Sequence, residues 1–121
     1  MAFPGTYNFS YYRGDTFEFK VYPKDAGGGI FDLTGYGTPV FKISNARGSA
    51  GVGNQVDGYA VVSADKTHIL CVIEPEVGIG LAGGQTYVYD IEITKSGADY
   101  TRKYTLLNGN ITVTEHITGA V

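Results

Sequence analysis

Residues 84–93, Gly-Gln-Thr-Tyr-Val-Tyr-Asp-Ile-Glu-Ile, and residues 104–118, Tyr-Thr-Leu-Leu-Asn-Gly-Asn-Ile-Thr-Val-Thr-Glu-His-Ile-Thr, decide the fold class. Tyr87, Tyr89, Ile91 and Ile93 alternate with Val88, Asp90, Glu92 and Thr94, the period of two that marks a strand with one buried face. Asn108-Gly109 stands between two β-rich runs, and this dipeptide tolerates the positive φ that a tight hairpin turn requires. The stretch therefore predicts a three-strand antiparallel meander with a turn at Asn108-Gly109.

Working outward, residues 16–22 repeat the alternation, with Phe17, Phe19 and Val21 on one face and Glu18 and Lys20 facing water. A short strand is expected through Tyr7, Phe9 and Tyr11, and another at residues 40–44. Residues 23–29, with three consecutive glycines, form a turn. Residues 45–57 read as a long loop rich in Gly, Ser and Asn. Residues 59–62 and 68–73 form a hairpin through 63–67. In its second strand Ile69, Cys71 and Ile73 take one face and Leu70 and Val72 the other, which implies a central strand or one covered by another subunit. Residues 75–82 can form a single helical turn, with Pro75 where its missing N–H is harmless. The expected fold is all-β: a single antiparallel β-sandwich, immunoglobulin-like or related, of about eight strands with at most one short helical turn. Residues 1–6 form an N-terminal arm and 7–121 the domain. Phe17, Phe19, Val21, Tyr89, Ile91, Ile93, Ile111 and Val113 should share one core.

Composition agrees. The chain has 121 residues, ten Tyr, six Phe and eighteen Gly against no Trp and one Met, as expected of many short strands joined by tight turns. Hydrophobic residues make up 43% and charged residues 17%, a globular balance. Net charge is −3, and the nine Lys and Arg are scattered singly, so no basic stripe suits nucleic acid. Cys71 stands alone, which leaves stability to packing. The start lacks the charged and apolar regions of a secretion signal, and no run approaches membrane-spanning length; the expectation is a chain kept in a host cytoplasm until assembly.

No constellation for chemistry emerges. Gly78-Ile79-Gly80-Leu81-Ala82-Gly83 matches a dinucleotide fingerprint in letters, but Gly84 and a strand follow where a helix is required. His68 and Cys71 are three apart in an extended segment and point to opposite faces. His116 lies on the Thr112 and Thr114 face. No Cys or His pair has zinc spacing, and Asp25, Asp32, Asp57 and Asp65 neighbour turns without the acidic alternation of a calcium loop. Neither a catalytic residue nor a cofactor is expected. Arg13-Gly14-Asp15 is a tripeptide that recurs by chance, and the sequons at Asn8 and Asn110 lack a secretory context.

Several phrases carry a resemblance. Arg13-Gly14-Asp15-Thr16-Phe17-Glu18-Phe19-Lys20, then Asp32-Leu33-Thr34-Gly35-Tyr36, then the Gly, Tyr-Asp-Ile, Leu-x-x-Gly-x-Ile-x-Val and Ile-Thr of residues 84–118 resemble a small β-sandwich domain of tailed bacteriophages, found at the start of baseplate upper proteins and in tail-fibre adaptors. The resemblance implies a non-enzymatic structural protein of the virion, a minor tail or baseplate component that packs against other virion proteins and copies of itself. Capsid decoration or a head fibre is the alternative place, and a carbohydrate-binding module for host recognition the alternative of another class. Tyr12, Tyr22, Leu70, Val72, Tyr100 and Tyr104 are the candidate interface residues, being of the kinds that anchor protein contacts. The arm and the 45–57 loop are further contact elements.

Overall fold

In chain order, the strands are β1 (Gly5–Thr6), β2 (Phe9–Tyr12), β3 (Phe17–Val21), β4 (Val40–Ser44), β5 (Val56–Val62), β6 (Ile69–Ile73), β7 (Thr86–Lys95) and β8 (Arg102–Thr114), with one helical turn, α1 (Pro75–Gly78), between β6 and β7. This is the computed structural model of the chain, and it describes residues 4–48 and 55–115. The fold is all-β. Pro75 opens α1, as its missing N–H allows.

A single hydrogen-bonded path, β1-β8-β7-β4-β5-β6-β3, runs through the molecule, with β2 following β1 along the same side of β8. The path doubles over at β5. Its first residues pair with β4 (Phe41↔Gly58, Lys42↔Asp57, Ile43↔Val56). Its last residues pair with β6 instead (Tyr59↔Val72 through Val62↔Ile69). A strand that changes partners in this way makes the corner between two packed layers. Gly58 sits at that corner because the Phe41 ring fills the space a side chain would need, its Cε2 lying 2.7 Å from an ideal Cβ.

The larger layer, β1/β2-β8-β7-β4, faces the smaller, β6-β3 with the end of β5, and the core lies between them. Phe9, Tyr11, Phe41, Ile43, Tyr89, Ile91, Ile93, Ile111 and Val113 meet Val21, Ile69, Cys71 and Ile73, with half-buried Phe17 and Phe19 packed against the cluster. Aromatic rings join the layers: Phe9 stacks on Phe17 at 4.4 Å, and Phe19 meets Phe41 edge-on at 5.7 Å. Six of the eight residues expected in the core are therefore in it, and the other two, Phe17 and Phe19, pack half-buried against it.

The turn expected at Asn108-Gly109 is not there. β8 runs unbroken from Arg102 to Thr114, and the β7–β8 hairpin turns through 96–101 instead. The third strand on this side comes from the N-terminus. β1 and β2 pair with β8 in parallel, Gly5↔Leu107 and then Phe9↔Ile111 through Tyr12↔Thr114. Gly109 is glycine because this strand crosses directly over it: an added Cβ would collide with the Tyr7 carbonyl and lie 3.0 Å from Asn8 Oδ1. Opposite Ile91 and Glu92 the register jumps from Leu107 to Thr105, so Leu106 is a bulged residue. The bulge changes which residues point inward, from Leu106 on one side to Gly109, Ile111 and Val113 on the other. The sandwich is thus antiparallel except along this margin.

Residues 1–3 of the expected arm, 49–54 of the 45–57 loop, and His116 lie outside the described residues. Of the arm, Gly5 and Thr6 belong to β1. Of the loop, Val56 and Asp57 belong to β5.

Two substitutions check this architecture by chemical denaturation. G109A should cost about 1–3 kcal/mol by driving a methyl group into the Tyr7 backbone, and should speed exchange of the Tyr7 amide, which donates to the Asn108 carbonyl at 2.9 Å. I91A, at a fully buried position, should cost about 2–5 kcal/mol.

Candidate interaction surface

The outward side of the smaller layer is defined by register. Val21↔Ile69 and Cys71 with Ala60 point inward, so the residues between them point out. Glu18 pairs with Val72 and Val72 with Tyr59; Lys20 pairs with Leu70 and Leu70 with Val61. Tyr22 continues the ladder beside His68, their rings 4.8 Å apart. The result is three rows that hold Tyr22, Tyr59, Val61 and Leu70 on one face, with Glu18 and Lys20 along its margin. Tyr59 is 48% exposed and Val61 39%.

The expected interface residues distribute as follows. Tyr22 and Leu70 fall on this face, the first exposed and the second half-buried. Val72 also falls on it but is only 8% exposed, so the chain itself covers it. Tyr104 is half-buried against Phe31 and Tyr36, at 6.1 and 6.4 Å between rings. Tyr12 is exposed at the end of β2, and Tyr100 is exposed in the β7–β8 turn with the Arg102 guanidinium 4.9 Å from its ring centre. These last three lie apart from the smaller layer. Tyr59 and Val61 are the surface residues that reading by strand alone passed over; the register Tyr59↔Val72 and Val61↔Leu70 is what reveals them.

Beside the face runs a cleft of about 470 Å³. One wall is the margin of β3 and the turn after it, Phe19 to Lys24; the other is Gly5, Tyr7, Leu106 and Leu107. This is the open seam of the curled sheet, where β3 and β1 end the path without meeting.

Other polar side chains are engaged in holding turns. Arg13 Nε donates to the carbonyls of Ile79 (3.0 Å) and Leu81 (2.9 Å), and its Nη1 to Glu115 Oε1 (3.2 Å). Asp15 N–H closes a turn on the Tyr12 carbonyl at 3.0 Å. Arg13-Gly14-Asp15 is thereby tied to the segment after α1. Asp25 Oδ1 accepts from Gly27 and Gly29, and Asp32 from Thr34. Asp57 pairs with Lys42 at 2.6 Å. Among the described residues, no three His, Cys, Asp or Glu side chains gather as a metal would require. His68 Nδ1 lies 3.0 Å from Thr67 Oγ1, while Cys71 faces the core, where burial pushes its thiol up to about 12.

No family model and no curated protein matches the chain.

Two measurements check this picture. Cys71 should leave a thiol reagent unreacted at neutral pH in the native protein and react fully in denaturant, because the thiolate is both disfavoured and inaccessible. The second concerns Asp65, which organises the β5–β6 turn. Its Oδ1 accepts from Ser63 Oγ (2.7 Å), Thr67 Oγ1 (2.8 Å) and Thr67 N–H (3.3 Å). The Ser63 bond first, then those from Thr67, hold its carboxyl down at about 2 from an ordinary 3.8. A carboxylate with a depressed folded-state pKa stabilises the fold above its unfolded value, and that contribution is lost as pH falls through the folded value. Thermal melts between pH 3.8 and 2 should therefore decline more steeply for the wild type than for D65N.

Proposed function

We propose that this chain is a non-enzymatic structural protein of a tailed-bacteriophage virion, a minor tail or baseplate component that works by packing against other virion proteins and copies of itself. The observation that carries the reading is the outward face of the smaller layer. Tyr22, Tyr59, Val61 and Leu70 stand there in paired rows on a rigid sheet, and aromatic and aliphatic side chains grouped on one face are what protein contacts use as anchors. The chemistry of the remaining side chains supports it. The lone described thiol is buried, and the turn aspartates and Arg13 hold the fold together. The phrases Arg13–Lys20 and Asp32–Tyr36 and the residues 84–118 point to the phage domain they resemble.

Mass spectrometry of purified virions of the encoding phage, followed by antibody labelling in electron microscopy, tests the reading. The protein should be present and labelled at the tail. Label over the head would move the assignment to capsid decoration, and absence from virions would overturn the structural role.

A further inference from the structure

We propose that two copies of this chain pair edge to edge through β3, antiparallel, about a two-fold axis passing beside Phe19. The inference rests on the assembly role proposed above and names one partner for it, a second copy. β3 ends the hydrogen-bonded path: among the described strands it pairs with β6 and no other. Its other margin borders the open seam, so alternate backbone N–H and C=O groups point away from any ladder partner. A second β3 laid against that margin would complete them and join two three-stranded layers into one sheet of six.

The side chains select the register. Glu18 and Lys20 both point outward, both are exposed, and among the described residues neither is in an ion pair, whereas Lys42, Arg47 and Lys103 each hold a carboxylate. Charges of one sign would hold an edge apart from its copy. Here the signs are opposite and sit symmetrically about Phe19. Antiparallel pairing centred on Phe19 sets Glu18 opposite Lys20 of the second copy, and symmetry makes the pair twice. An axis beside Glu18 would set two glutamates face to face, and one beside Lys20 two lysines. Of these three registers, only the central one is self-complementary. In that register the half-buried Phe19 also comes opposite its own copy, and Phe17 opposite Val21, which adds apolar cover on the inward side. On the outward side, the rows that carry Tyr59, Val61 and Leu70 continue across the axis from one copy to the next.

Sedimentation equilibrium of the purified full chain tests this with a charge swap. The wild type should dimerise, and rising salt should weaken the dimer. E18K and K20E should each weaken it by about tenfold or more, since each turns two attractive cross-strand pairs into repulsive ones. The double variant E18K/K20E restores opposite signs and should return to within about threefold of the wild type. Both positions are exposed, so circular dichroism should find all three variants folded. A wild type that stays monomeric at every concentration, a dimer indifferent to either single reversal, or a folded double variant as weak as the singles would each overturn the pairing. None of these outcomes bears on whether the protein is found in virions, so the two readings fail separately.

Discussion

The crossing of the N-terminal strand over β8 at Gly109 is the contact on which the rest of the structure depends. The Tyr7 carbonyl lies close enough to exclude any side chain at 109, and it accepts the Tyr89 hydroxyl at 2.5 Å. Asn8 Oδ1 takes the Asn110 amide at 2.9 Å. With the backbone pinned there, Phe9 and Tyr11 must point into the space between the layers, where Phe9 stacks on Phe17 and the Tyr11 hydroxyl donates to the Asp15 carbonyl at 2.6 Å. Burial pushes the Tyr89 phenol well above its ordinary range, so it stays a neutral donor at any physiological pH. One close approach thereby carries the N-terminal strand into the core and sets the start of β3.

The same residues explain how far the sequence could be read. Alternation in β3, β6 and β7 identified the inward residues because burial on one face leaves a local signature. The two-sided apolar character of β6 was legible as centrality, and β6 does lie between β5 and β3. Asn108-Gly109 misled for a physical reason. A glycine required by a turn and a glycine required by a crossing strand look alike locally, and the partner that distinguishes them lies about a hundred residues away. Parallel pairing with the N-terminus has no local signature at all. The change of phase between Leu106 and Gly109 was present in the sequence, but a bulge and a turn both produce one.

The surface was less legible than the core. Candidate anchors chosen by residue type scattered over the molecule: Tyr104 went to an aromatic cluster with Phe31 and Tyr36, and Tyr12 and Tyr100 to separate ends. A face emerges only when the ladders Glu18↔Val72↔Tyr59 and Lys20↔Leu70↔Val61 are known, because adjacency across strands is a matter of register. Tyr59 and Val61 acquire meaning from their neighbours. So do the charges of Glu18 and Lys20, which taken singly are ordinary solvent-facing residues.

The parallel margin also gives the molecule a mechanical polarity. β2 and the end of β8 run side by side in the same direction, Phe9 beside Ile111 and Tyr12 beside Thr114. The chain therefore enters this margin at one end and leaves it at the other. Tension applied between residues 5 and 114 slides the two strands past each other and strains their hydrogen bonds together, in shear. Antiparallel neighbours pulled from the same end would instead open bond by bond, like a zip. Because forced unfolding is governed by the barrier and not by equilibrium stability, this geometry suits a small domain that must transmit a pull along its length without first losing its core.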